Sequence, residues 1–143
     1  MGRFGAEAVA NESYDIETNT WSAVPLFPEG VDHAAAAAVD GQVYLIGGFN
    51  GRPTPEPLLE AYDPAQHSWE AQTPLPKPRD HIAVAVADGK RYVPGGRLRV
   101  KLPNHNVYDP DSGTWQAAAD LPTPRSGNSA DSVRAQTYVS GGG

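Results

Sequence analysis

Short apolar runs broken by glycine, proline and Asp-Gly pairs set the pattern of this chain. Val43 to Ile46 is strongly β-prone and stops at Gly47 and Gly48; after a polar, proline-studded loop an apolar run resumes and ends in Tyr62, Asp63 and Pro64. Runs this short, bounded by turn residues, predict strands rather than helices. One stretch offers four of them: His33 to Val39, Gln42 to Ile46, Leu58 to Tyr62 and Ser68 to Ala71. Asp40-Gly41 between the first two predicts a type I′ hairpin, because both central positions of that turn need φ > 0, and Asp88-Gly89 repeats the signal. Asp63-Pro64 and Asp109-Pro110 open the turn between the third and fourth strands, where proline presets φ.

The pattern recurs. Gly47-Gly48 returns as Gly95-Gly96 and Gly141-Gly142, at intervals of 95 − 47 = 48 and 141 − 95 = 46. Trp21, Trp69 and Trp115 keep those intervals, as do Tyr14-Asp15, Tyr62-Asp63 and Tyr108-Asp109. Leu75-Pro76 with Arg79 returns as Leu121-Pro122 with Arg125. A period near ~50 residues built from strands belongs to the propeller class rather than to helical solenoids. The first strand of each unit is nearly all small residues, AAAAAV and then IAVAVA. Small side chains suit strands that crowd toward a common axis, so this is the innermost strand. The glycine pair fits a sharp turn with close backbone approach, and Tyr62 and Trp69 are expected between adjacent sheets with their polar tips partnered.

HAAAAAVDGQVYLIGG with LEAYDPAQHSW, and HIAVAVADGKRYVPGG with HNVYDPDSGTW, resemble the kelch repeat: a small-residue strand, a strand ending in two glycines, a Tyr-Asp pair and a spaced Trp. The resemblance covers essentially the whole chain. It implies an all-β, kelch-type β-propeller, one blade per repeat, in a protein-interaction module or sometimes a carbohydrate-active enzyme. Val31 departs from the pattern by standing where Arg79 and Arg125 stand; Pro94 takes a donor out of a second strand; Asp131 and Arg134 weaken the last copy. By this phase the chain holds about three blades: a half-blade at 1–28, blades at 31–76 and 79–122, and a half-blade at 125–143. Propellers close with ~4 to 8 blades. Either two copies complete each other's half-blades in a six-bladed homodimer, or the chain is a fragment of a longer propeller.

Composition narrows the chemistry. Net charge is −6, which sets nucleic acid aside. Cysteine is absent, which removes disulfides, thiolate metal sites and the cysteine-modified tyrosine of kelch-like copper oxidases. No apolar leader and no run of about 20 apolar residues is present, giving a cytoplasmic expectation with no membrane partner. No catalytic constellation has recognisable spacing, and neither a metal site nor a cofactor is expected.

In an up-and-down blade, the loop after the second strand and the link into the next blade open on one face. That face collects Asn50, Arg52, Arg97, Arg99, Lys101, Asn104 and His105, with Arg79 and Arg125 from the links; six of the eleven basic residues gather there. On an acidic chain this predicts a site for an acidic or polar protein or peptide, held by arginine contacts to carboxylates. Solvated loop charge is the plainer alternative for Arg97, Arg99 and Lys101, and a blade-tying role for Arg79 and Arg125. His33 and His81 are repeat-equivalent at the entrance of the innermost strand; a shared hydrogen bond explains the repetition better than a metal or substrate site at the channel mouth. The competing function is a sugar- or small-molecule-processing enzyme, epimerase- or lyase-like, with its site in the central funnel of the assembled ring.

Overall fold

The computed structural model describes residues 10–28 and 30–143, and among them every regular element is a strand. Two four-stranded antiparallel sheets form the middle. The first is β3 (Ala35–Val39), β4 (Gln42–Ile46), β5 (Leu59–Asp63) and β6 (Ser68–Ala71), hydrogen-bonded in chain order. The second is β7 (Ala85–Ala87), β8 (Lys90–Pro94), β11 (His105–Asp109) and β12 (Thr114–Ala117). A two-stranded sheet precedes them, β1 (Asn11–Asp15) with β2 (Thr20–Val24), and another follows, β13 (Asn128–Val133) with β14 (Gln136–Gly141). Residues 1–9 of the expected first half-blade lie outside the described residues.

The turn chemistry explains the connections. Asp40 and Gly41 take φ of 50° and 77°, and Asp88 and Gly89 take 49° and 71°, as a type I′ hairpin demands. Asp63 Oδ1 accepts the amides of Ala65 and Gln66, Asp15 Oδ1 that of Thr18, and Asp109 Oδ1 that of Asp111. Each carboxylate thus folds back on its own turn, which is why a Tyr-Asp pair marks every third strand. The innermost strand starts two residues later than the sequence predicts, at Ala35, because His33 sits at φ 58°, outside the β region. Likewise the third strand spans Leu59–Asp63 rather than Leu58 to Tyr62.

Pro94 has its expected cost. Its nitrogen faces β7, since the amide of Gly95 turns the other way to Asn104 O. Pairing of β7 with β8 accordingly stops at Ala85↔Tyr92, whereas β3 pairs with β4 through Ala35↔Ile46. β3 packs against β7, and β7 against β13, so the small-residue strands line one side of the stacked sheets. Between sheets lies a core of Tyr44, Ile46, Leu59, Ala61, Leu75, Ile82, Val93 and Tyr108. Trp69 Nε1 donates to Pro25 O at 3.3 Å and Trp115 Nε1 to Thr73 O at 2.8 Å. Each interior tryptophan therefore reaches the link that follows the preceding sheet. Trp21 is exposed.

Arg91 stands in this core where β4 carries Val43, wholly buried with its guanidinium 3.8 Å over the Tyr44 ring and 5.9 Å from that of Tyr108. Cation–π contact and one bond to Gly89 O hold it, while Nε and Nη2 have no hydrogen-bond partner.

Candidate functional site: the loop face above the glycine seam

The glycine pairs are seams between blades. A Cβ on Gly47 would lie 2.6 Å from Arg79 O, and one on Gly95 would lie 2.8 Å from Arg125 O. The first glycine of the two interior pairs thus clears the next sheet's backbone, whereas a Cβ on Gly141 would meet nothing within 4 Å. The second clears its own sheet's entry segment: Gly48 lies against Val31, Gly96 against Arg79 and Gly142 against Arg125. Gly48 N donates to Arg79 O and Gly96 N to Arg125 O, at 3.2 and 2.8 Å. A second thread of backbone bonds runs parallel, from His81 N to His33 O and from Gly127 N to His81 O. Residues 33, 81 and 127 are repeat-equivalent, and all three hold positive φ (58°, 50° and 68°).

Arg79 belongs to this seam rather than to the surface. It is wholly buried, donates from Nη2 to Val93 O at 3.0 Å, and has no carboxylate partner among the described residues. Burial pulls its pKa down to about 10, which still leaves it charged at neutral pH. Arg125 is half-buried and donates to Gly141 O at 2.7 Å. His105 occupies the strand position that Leu59 fills in the preceding sheet. Its Nδ1 meets Ala119 O at 3.2 Å, its Nε2 is buried without a partner, and burial holds its pKa below the ordinary histidine value. Asn104 Oδ1 accepts from Lys77 Nζ.

On the face above, the loop after β8 makes a small antiparallel hairpin, β9 (Arg97–Leu98) and β10 (Val100–Lys101), where the sequence pattern predicts only loop. Arg99 forms its tip at φ 65°. Arg97, Arg99, Val100 and Lys101 are all exposed, and Leu102 anchors the hairpin by burial and by its amide bond to Gly96 O. Arg97 also turns inward: its Nε lies 3.1 Å from Asp80 Oδ1, and Nη2 lies 3.5 Å from Oδ2. Asp80 is buried and meets His81 Nδ1 at 2.8 Å, and the His81 ring stacks on His33 with centroids 3.9 Å apart. Arg97, Asp80, His81 and His33 therefore form one connected polar network crossing from one blade to the next. Asp80 carries no motif of its own in the sequence; its signal is the Asp-His pair recurring at 32–33 and 80–81. Across the seam, Arg52 pairs with Glu56 at 3.3 Å and Asn50 Oδ1 accepts the amide of Arg52, closing that loop on itself. The structure thus brings Arg97, Arg99 and Lys101 together, joins Arg97 to the histidine pair, and puts Arg79 and His105 beneath the face. No cluster of three or more metal-ligating side chains occurs among the described residues.

Residues 6–142 match the family model described as the KLHDC2/KLHL20/DRC7 Kelch-repeats domain. The chain belongs to the kelch-repeat family. It is 50% identical over 44 residues to the kelch repeat protein M-T8 of Myxoma virus (strain Lausanne), a stretch covering 29% of this chain and 8% of that protein. The solved structure titled "Structure of YjhT" superposes with a TM-score of 0.79 at 19% identity, covering 91% of this chain and 50% of that one. The likeness is one of fold, and the kelch chain spans half the length of that structure. Kelch domains are in general protein-interaction modules, and among the described residues no helix is long and apolar enough to cross a membrane.

Proposed function

We propose that this kelch domain binds an acidic or polar protein segment on the glycine-seam face, with the β9–β10 hairpin as its main contact. The observation that carries the reading is the hairpin itself: five consecutive residues hold three exposed cations on a chain of net charge −6, and no ion pair engages Arg99 or Lys101 among the described residues. A β-hairpin anchored by a buried leucine presents those cations on a fixed backbone, which lowers the ordering cost of binding. Guanidinium groups suit bidentate contact with carboxylates. Arg97 is held by Asp80, so Arg99 and Lys101 are the contacts offered outward, with Arg52 and Asn50 on the neighbouring loop.

Fluorescence anisotropy with a labelled glutamate-rich peptide tests this. Arg99→Glu with Lys101→Glu leaves the Arg97–Asp80 pair in place and should weaken binding about tenfold or more, and binding by the native chain should weaken as salt rises. Equal affinity of native and variant chains for the peptide, or no binding by either at low salt, overturns the proposal. One observation favours the enzyme reading: Asp80 is a buried carboxylate beside His81, just before the innermost strand of its blade. Its contacts with Arg97 and His81 suit a neutralised structural network equally. Turnover abolished by Asp80→Asn and retained in the Arg99/Lys101 variant would decide for that reading.

A further inference from the structure

We propose that Asn50 is a site of spontaneous covalent modification, the Gly51 amide nitrogen attacking its carboxamide carbon to close a succinimide that water opens to an aspartate or an isoaspartate. The chemistry does not depend on what the loop face binds. Of the chain's asparagines, Asn50 alone is followed by glycine. Any other residue there would shield its own amide nitrogen with a Cβ, and Gly51 has none. Gly51 is exposed and holds φ 83°, a backbone that glycine adopts freely. The Arg52 amide donates to Asn50 Oδ1 at 3.2 Å, which folds the carboxamide back over the Gly51 peptide. That N–H polarises the carbonyl under attack and meets the oxyanion that forms on it, as donors aimed at developing charge do in acyl transfer. The Arg52 guanidinium, paired with Glu56 at 3.3 Å, closes the loop that carries all three residues.

Atoms and charges balance at each step. Hydroxide takes the Gly51 amide proton, the nitrogen lone pair forms the bond to Cγ, and the tetrahedral centre collapses with Nδ2 leaving as ammonia. Water then adds to one of the two imide carbonyls. Breaking the new bond to Cγ leaves an aspartate on an unaltered backbone, whereas breaking the older bond from the Asn50 carbonyl carbon to the Gly51 nitrogen routes the chain through Cγ as isoaspartate. Either product turns a neutral amide into a carboxylate beside Arg52, so the charge of the glycine-seam face becomes more negative with time. The other asparagines lack this combination. Asn104 Oδ1 is held by Lys77 Nζ, Asn128 is buried with Nδ2 on Pro94 O, and Asn106 lies within β11. Asn11 and Asn19 precede Glu12 and Thr20, whose side chains flank the nitrogen that would attack. Asp40-Gly41 and Asp88-Gly89 have the glycine, but a carboxylate is a poorer electrophile than a carboxamide, and strands hold both turns at each end.

Mass spectrometry of the native chain, aged in mildly alkaline buffer and digested at intervals, tests this. Loss of ammonia and then uptake of water should appear in the fragment containing Asn50 before any other, and an isoaspartyl-specific methyltransferase should label that fragment first. Gly51→Ala should slow the reaction about tenfold or more, since the added methyl shields the attacking nitrogen. Asn50→Gln, which would have to close a six-membered ring, should leave the fragment unmodified over the same period. A synthetic peptide of residues 45–57 separates fold from sequence: the folded chain should react at least as fast as the peptide, because the Arg52 amide bond is fixed in one and transient in the other. A folded chain that reacts more slowly than the peptide, earlier ammonia loss at another asparagine, or a Gly51→Ala chain that reacts at the native rate would each overturn the proposal.

Discussion

Gly96→Ala against Gly41→Ala separates two reasons for a glycine. Both positions have positive φ, 108° and 77°. At Gly41, in the β3–β4 hairpin, an added Cβ meets nothing within 4 Å, so only the left-handed backbone opposes it. That costs about 1–2 kcal/mol, offset by roughly 0.4–1 from the stiffer unfolded chain, for a net of about 1. At Gly96 the Cβ would fall 2.5 Å from Ile82 Cγ2 and 3.0 Å from Arg79 Cδ, two side chains of the buried seam. A backbone outside the common wells costs about 1–3 kcal/mol, and forcing the packed isoleucine and arginine aside about 1–3 more. After the unfolded-state offset the net loss is about 2–5 kcal/mol, a large part of the roughly 5–15 a domain has. Urea denaturation followed by tryptophan fluorescence measures both, with an unchanged slope certifying that stability moved rather than compactness. If Gly96→Ala costs no more than Gly41→Ala, the close-approach account of the glycine seam is wrong.

Arg79→Met should change stability by less than about 1.5 kcal/mol, since Val31 already fills the equivalent place with an apolar side chain, while Arg79→Ala should lose about 2–4 kcal/mol to the cavity; chemical denaturation compares them. His105 has a folded-state pKa held below its unfolded 6.5, so the unfolded chain binds the extra proton first. Stability should therefore fall as pH drops below about 6.5, and His105→Leu, the residue used at the same place as Leu59, should flatten that slope in thermal melts read across pH 8 to 5. Replacing Arg134 and Ala135, a hairpin turn at φ 50° and 60° without glycine, by Asn-Gly should stabilise the β13–β14 hairpin by about 1 kcal/mol, seen as slower amide exchange in those strands.

The fold was legible because its markers are local. Asp-Gly turns, glycine pairs and Tyr-Asp-Trp spacing each specify a backbone event within a few residues, and the strands of the first full blade stand within two residues of where those signals put them, while β7 starts at Ala85, three residues into IAVAVA. Exposure was harder. Arg79 and Arg97 are both loop-adjacent arginines in sequence. One is buried because Gly96 leaves room for its aliphatic stem; the other is exposed yet tied to Asp80 across the sheet entrance. Which of the two faces solvent depends on contacts between segments 17 residues apart, and periodicity carries no such information. Arg91 was invisible because of its charge: period 2 puts it on the face of the buried Val93, and the facing Tyr44 ring is what lets a cation sit there.

The seam also explains where this chain is free to differ from itself. From Tyr14 to Gly47, from Tyr62 to Gly95 and from Tyr108 to Gly141 the distance is always 33 residues. The stretch from the second glycine to the next Tyr-Asp pair is 62 − 48 = 14 in one unit and 108 − 96 = 12 in the next. All the length variation thus lies in the loop after the glycine pair. Every other segment is pinned at both ends: the links by their carbonyls to the glycine amides, the Tyr-Asp turns by their own carboxylates, the tryptophans by the preceding link. The post-glycine loop leaves the seam, projects on one face and returns at Leu58 or Asn104; in the second full blade it touches the neighbouring blade near its end, where Leu102 O accepts the Arg125 amide at 3.4 Å. One unit fills it with a proline-rich segment closed by Arg52 and Glu56, the next with the cationic β9–β10 hairpin. A scaffold built this way concentrates variation where it does not cost stability. Exchanging residues 97–103 for residues 49–57 should therefore keep the fold while removing the hairpin's affinity for an acidic peptide, and unfolding of the exchanged chain would show that the loop holds the seam rather than rides on it.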